Sequence, residues 1–157
     1  DAREFRNAMG CFATGVTIIT TVDAKGELFG VTANSFSSLS LDPPLALFCL
    51  DLKAMSLDAF NSATHFNINI LADSQQELST HFAKSGTDKW TGMNYELSES
   101  GCPVLPGCVS MLECRKRDMH EGGDHVIIVG EVENFSNESD GKQPLLFYRG
   151  QYKGLSA

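Results

Sequence analysis

The run Val16-Thr17-Ile18-Ile19-Thr20-Thr21-Val22 limits the fold more than any other part of this chain. Residues branched at Cβ lose rotamer freedom in a helix and pack well on a pleated surface, so the segment reads as a strand. Asp23-Ala24-Lys25-Gly26 follows as a turn, and a second strand starts near Glu27 with Leu28, Phe29, Val31 and Ala33, which predicts a hairpin. The same grammar continues downstream. Asp42-Pro43-Pro44 breaks the chain, and the continuous apolar run Leu45 to Leu50 predicts a strand buried on both faces. His65 to Ile70 alternates polar and apolar, as a half-buried strand does. Two further strands are expected at about 108–119 and 125–135, joined through Glu121-Gly122-Gly123-Asp124, and a last one at Leu145 to Arg149.

Helical signals are short. Phe5, Met9 and Phe12 share one face of a helix expected over residues 2–13, capped by Asp1 and stopped by Gly15. A second helix is expected over 56–63 with Ser56 as N-cap. A third runs from the box Ser74-Gln75-Gln76-Glu77 to about Lys84. Residues 85–107 read as one long irregular segment, a kind that is often functional. Six or seven strands joined mostly by turns, with three helices, predict one mainly β domain over 1–157, an antiparallel barrel with peripheral helices.

Charge and motifs narrow the function. A net charge of −8 disfavours a nucleic-acid partner. No apolar run approaches the roughly 20 residues that span a bilayer. The first residues lack the apolar stretch of a secretion signal, so a cytoplasmic location is expected. The five cysteines show no zinc-ligand spacing and read as reduced, mostly buried thiols. No G-x-S-x-G, G-x-G-x-x-G or P-loop occurs, which argues against a nucleophile-elbow hydrolase and a Rossmann site.

Four clusters carry candidate chemistry. Thr32, Asn34, Ser35, Ser37, Ser38 and Ser40 crowd a strand-like segment with small polar groups, suited to a flat polar ligand or to a solvated edge. Asp51-Leu52-Lys53-Ala54-Met55-Ser56 offers a cation and a hydroxyl at a helix start, for a phosphate or merely a cap. Gly122-Gly123-Asp124-His125 delivers a histidine with a carboxylate beside it to a strand mouth. Phe147-Tyr148-Arg149-Gly150 places an aromatic ring and a guanidinium at the end of the last strand.

In order and spacing these clusters resemble the flavin reductase-like family, the FMN-binding split barrels. That family includes the reductase components of two-component monooxygenases. The resemblance rests on Phe5 to Thr21, Gly30 to Pro44, Phe66 to Leu71, Gly123-Asp124-His125 and Phe147 to Gly150. It implies a six-stranded antiparallel Greek-key split barrel that forms a homodimer. The activity implied is hydride transfer from NAD(P)H to FMN or FAD, with reduced flavin going to a monooxygenase. By matching position, Thr32, Ala33, Asn34 and Ser35 would line the flavin ring, with Ser37 and Ser38 nearby. Leu50, Asp51, Lys53 and Ser56 would reach the ribityl-phosphate arm, and Phe82, Ala83 and Lys84 would border the site. His125 would dock the nicotinamide, as the one catalytic assignment, and Tyr148 or Arg149 would lie on the pyridine-nucleotide side. Lys89-Trp90-Thr91-Gly92 departs from the family with a Trp where many relatives have a Phe. No metal is implied. A flavin-binding carrier without turnover, or a reductase of a corrinoid or ferric chelate, stays open at this point.

Overall fold

The computed structural model describes residues 1–85, 88–138 and 141–155. The chain opens with helix α1 (Ala2–Met9), whose first turn is capped by the Asp1 carboxylate accepting from Arg3 N and Glu4 N. Strands β1 (Thr14–Gly15), β2 (Thr17–Val22), β3 (Leu28–Ala33), β4 (Ser37–Leu41) and β5 (Pro44–Asp51) follow. Helix α2 (Leu57–Ser62), strand β6 (His65–Ile70), a single 3₁₀ turn at Asp73–Gln75 and helix α3 (Gln76–Ala83) form the middle. Then come the short strands β7 (Glu96–Leu97) and β8 (Pro103–Val104), the long strands β9 (Ser110–Gly122) and β10 (His125–Asn137), and the closing pair β11 (Leu146–Tyr148) and β12 (Gln151–Lys153).

Seven strands make one open antiparallel sheet in the order β3-β2-β6-β9-β10-β5-β4. The fold is mainly β with few helices. The expected six strands become seven because the polar segment 30–40 does not run through: it ends at Ala33 and restarts at Ser37, which gives two edge strands, β3 and β4. The inner face is filled by Ile19, Phe48, Phe60, Phe66, Ile68 and Ile128, with Phe48 meeting Phe60 and Phe66 edge to face. Burying such side chains supplies roughly 1.5–3 kcal/mol each. A second cluster of Val16, Ile18, Leu71, Phe82, Leu105 and Leu145 lies beneath α3 and the 88–105 segment.

Several local expectations need correction. The first helix ends at Met9 rather than 13; Cys11 N and Phe12 N reach back only three residues, to Ala8 O and Met9 O, in a tighter turn. None of α1 is buried, and Phe5, Met9 and Phe12 are 67%, 58% and 78% exposed. Strand β5 is not buried on both faces: Ala46, Phe48 and Leu50 are buried, while Leu45, Leu47 and Cys49 are half-buried. Ser56 precedes α2 but makes no capping bond. At the third helix the N-cap is Gln75 and makes no side-chain capping bond; half of a box lies at the preceding 3₁₀ turn, where Gln75 Oε1 accepts from Ala72 N. Residues 85–107 are not wholly irregular, since β7 and β8 form a small hairpin inside them; Gly86 and Thr87 lie outside the described residues. The final strand is itself a hairpin, turned at Arg149 (φ 49°) and Gly150 (φ 75°), the pair of left-handed positions a tight turn requires.

Candidate functional site

Three neighbouring places collect the candidate residues. The first is the free edge of β3. Lys89 Nζ donates to Gly30 O at 3.0 Å, so this carbonyl faces away from β2, toward the open side of the sheet. Gly30 has no room for a side chain: a Cβ would lie 2.7 Å from the Phe82 ring and 3.2 Å from Trp90. Phe82 is fully buried, edge-on to Trp90 at 5.0 Å, and so supports the strand from below; Ala83 and Lys84 stand exposed at the end of α3.

The polar side chains of the 32–38 stretch are largely spent within the protein. Thr32 Oγ1 donates to Ser79 O at 2.6 Å, tying β3 to α3. Ala33 O accepts from Thr17 Oγ1 at 2.7 Å. Ser35 Oγ donates to Cys49 O and accepts from Cys49 N, both at 2.9 Å. In this register Ser37 pairs with Leu47 through the backbone, and two residues on the Ser35 hydroxyl takes over the same work with its side chain. Ser37 Oγ bonds locally to Ser38 O, and Ser38 is exposed on the edge strand β4. Asn34 is exposed and faces a cavity of about 800 Å³ shared with α1, Thr14, Phe147, Arg149 and Gly150. Arg149 thus meets Asn34 across that cavity, its guanidinium 5.3 Å from the half-buried Tyr148 ring.

The second place is the corner where β5 meets β10. His125 lies opposite Asp51 in register, and Leu52 N donates to Asp124 O at 3.0 Å. Two clusters more than 60 residues apart in sequence become one. His125 Nδ1–H donates to Asp124 Oδ1 at 2.7 Å. That hydrogen bond, the imidazole charge and, more weakly, the Lys53 charge hold the Asp124 carboxyl below its ordinary range. An ionised Asp124 fixes the proton on Nδ1 and leaves Nε2 of a neutral ring as an acceptor. Asp51 folds back on its own loop, with Oδ1 accepting from Lys53 N at 2.8 Å. Leu50 is buried and belongs to the core.

The third place is a cavity of about 410 Å³ between the start of β3, the Met55–Ser56 turn and residues 88–90. Phe29, Met55 and Trp90 supply apolar wall, and Ser56 and Lys89 supply polar groups. Ser56 is only 7% exposed, and its hydroxyl has no hydrogen-bond partner among the described residues. Lys89 was not singled out from sequence, because nothing in the chain announces that this ammonium is half-buried. It donates to Phe82 O at 2.8 Å as well as to Gly30 O, and burial lowers its pKa. The one sequence signal was Gly30 itself, a glycine inside a strand where another group comes close. Ser56 therefore lies with Lys89, whereas the charge of Lys53 acts on Asp124.

The basic run on β9 is already occupied. Arg115 and Arg117 pair with Glu131, and Arg115 also with Glu133. Lys116 Nζ donates to Phe60 O and Asn61 O at the end of α2. Among the described residues no group of acids, histidines and cysteines could hold a metal ion, and no helix is long and apolar enough to cross a membrane. Cys102, Cys108 and Cys114 are buried thiols, Cys49 is half-buried and Cys11 is exposed.

Comparison with known proteins bears on this arrangement. The model of the flavin reductase like domain matches residues 9–156. The chain is 39% identical over 156 residues to the reductase subunit HsaB of a flavin-dependent monooxygenase of Mycobacterium tuberculosis, covering 99% of this chain and 83% of that protein. It is 43% identical to a probable flavin reductase of Rhizobium meliloti, but spans only 48% of that longer protein. The NADH:FAD oxidoreductase SgcE6 of Streptomyces globisporus, solved with NAD and FAD fragments, superposes with a TM-score of 0.94 at 34% identity, covering 99% of this chain and 93% of that one. With its sheet, its polar β3 edge and its His125 corner, this chain belongs to the flavin reductase-like family.

Proposed function

We propose that the protein is an NAD(P)H:flavin oxidoreductase that supplies reduced flavin to a partner monooxygenase, on an open Greek-key split barrel. The observation that carries the reading is Ser56, a residue that lines an aromatic-walled cavity beside a half-buried ammonium and whose buried hydroxyl has no partner among the described residues. A buried polar group without a partner costs roughly 1–3 kcal/mol, which a ligand with acceptors recovers. A cavity of about 410 Å³ with a few polar groups suits part of a flavin or nucleotide.

When bound, the flavin supplies the centre that accepts a hydride. The chain supplies position and polarity. Thr32 and Ser35 spend their side chains on α3 and β5, so they offer a ligand mainly backbone, on a strand edge held rigid from both sides. Asn34, Ser37 and Ser38 add exposed side chains there, and Ala83 and Lys84 border the end of α3. His125 docks the nicotinamide, its Nε2 accepting from the carboxamide N–H while Asp124 holds Nδ1. Tyr148 and Arg149 close the nucleotide side.

The active form is a homodimer. The apolar face of α1 is uncovered within the chain and adjoins the 800 Å³ cavity that holds Asn34 and Arg149. Large exposed apolar patches mark interaction surfaces. The reading is tested by steady-state oxidation of NADH with FMN, FAD, a corrinoid and a ferric chelate as acceptors, beside sedimentation analysis. Turnover with free flavin in a dimeric protein is expected. Flavin binding without turnover would instead identify a carrier.

A further inference from the structure

We infer that Tyr152 is a positioning residue for the flavin: through the buried Ser79 it fixes the strand edge on which the ring rests. This rests on the flavin reading above and adds to it a residue from the last hairpin, far from that edge in sequence. The hydroxyls of Tyr152 and Ser79 share a hydrogen bond of 2.6 Å. The backbone of Ser79 carries the relay on, since its carbonyl accepts from Thr32 Oγ1, also at 2.6 Å. Ser79 is fully buried, and among the described residues Tyr152 is the only partner of its hydroxyl.

The spacing makes this joint specific. Ser79 and Phe82, three apart on α3, share one helix face, and Gly30 and Thr32, two apart on β3, share one strand face. The two faces meet: Phe82 lies against Gly30 while Ser79 holds Thr32. Packing on the ring sets how far the helix stands from the strand. The directional Thr32–Ser79 bond sets the register between them. Tyr152 delivers its hydroxyl from a firm support, because its ring packs edge to face on Phe147, its partner across the β11–β12 hairpin, at 5.4 Å. Without that hydroxyl the Ser79 side chain would turn back on the carbonyls of its own helix, and such bonds bend helices. A bend there moves Ser79 O, and with it Thr32, beside Ala33 and Asn34 where the flavin reading puts the ring.

Binding of FMN, followed by quenching of its fluorescence, tests this in a double-mutant cycle. Tyr152→Phe keeps the ring and removes only the hydroxyl. Thr32→Val keeps the shape and removes only the donor at the far end of the relay. Each should raise the FMN Kd about threefold to tenfold, the worth of one hydrogen bond. The double variant should bind no worse than the weaker-binding single one, because the relay is broken once. Ser79→Ala cuts the relay at its middle and takes the place of Tyr152→Phe should that variant not fold. Lys116→Met separates positioning from general loosening: its ammonium holds Phe60 O and Asn61 O at the end of α2, outside the relay. It should lower the melting temperature and leave the FMN Kd in place. An unchanged Kd in Tyr152→Phe overturns the inference, and so do additive losses in the cycle. A Kd raised as much by Lys116→Met as by Tyr152→Phe also overturns it. In all three cases the flavin reading stands. Failure of wild type to bind any flavin overturns both.

Discussion

The cavity beside Gly30 and the corner around His125 treat their polar groups in opposite ways. In the cavity, Ser56 is buried and Lys89 half-buried, and the Ser56 hydroxyl has no partner among the described residues. At the corner, Asp51, Lys53 and Asp124 are exposed; Asp51 accepts from the backbone N–H of Lys53, and Asp124 accepts from His125, which is half-buried beside it. Burial without a partner is costly alone and favours a ligand that stays. Exposure with such pairing costs little and suits a ligand that comes and goes. The contrast matches a held flavin and a passing nicotinamide nucleotide.

The largest expected effect breaks the held side. Gly30→Val would drive a branched side chain into the Phe82 ring, where even a Cβ has only 2.7 Å. Overpacking of this kind costs about 1–3 kcal/mol. A fall in melting temperature of several degrees, read by calorimetry, should accompany loss of flavin binding. An unchanged melting curve would mean that β3 yields at this point and that its rigidity is not what holds the ring.

Next comes the passing side. His125→Ala should raise KM for NADH about tenfold, the worth of one hydrogen bond of about 1.4 kcal/mol, and leave the flavin Kd in place. Equal effects on both ligands would merge the two regions into one. A smaller effect concerns Asp124, whose carboxyl His125 holds low. A depressed folded pKa favours the native state above the ordinary value near 3.9, and that contribution fades as pH falls through the folded pKa. In His125→Ala the Asp124 carboxyl should titrate higher, nearer the ordinary value, as followed by carbon NMR. No upward shift would mean that the imidazole does not govern this carboxylate. The smallest effect is expected from Arg117→Ala: this guanidinium is already paired with Glu131, so the ratio of NADPH to NADH turnover should stay as it was.

Much of this was legible from residues alone. The β-branched run and the turn at Asp23 became the strand and turn expected, because local preference and tertiary packing agree there. The alternation at 65–70 became a strand too, but one buried on both faces rather than half-buried, since the amides of Asn67 and Asn69 are spent on Cys102 O, Pro103 O and Ile18 O. The polar stretch at 32–38 was legible as unusual but not as spent. Sequence shows donors, and only the fold shows that Ser79 O and the Cys49 backbone consume them. The pairing of Asp51 with His125 depends on strand register, which sequence spacing does not encode. Lys89 was out of reach for the same reason: half-burial of a lysine is decided by what folds over it.

Ser35 has a consequence for how the sheet breathes. Where a strand would ordinarily guard the Cys49 amide with its backbone, a single rotatable hydroxyl does so. That bond can open by turning one χ1 angle, without unzipping any ladder. Cys49 should therefore exchange its amide hydrogen sooner than neighbours held by backbone carbonyls, and Ser35→Ala should speed that one amide above the rest. The seam between the β3 side and β5 is then a place where the protein opens one residue wide, beside the strand edge that a flat ring would rest upon.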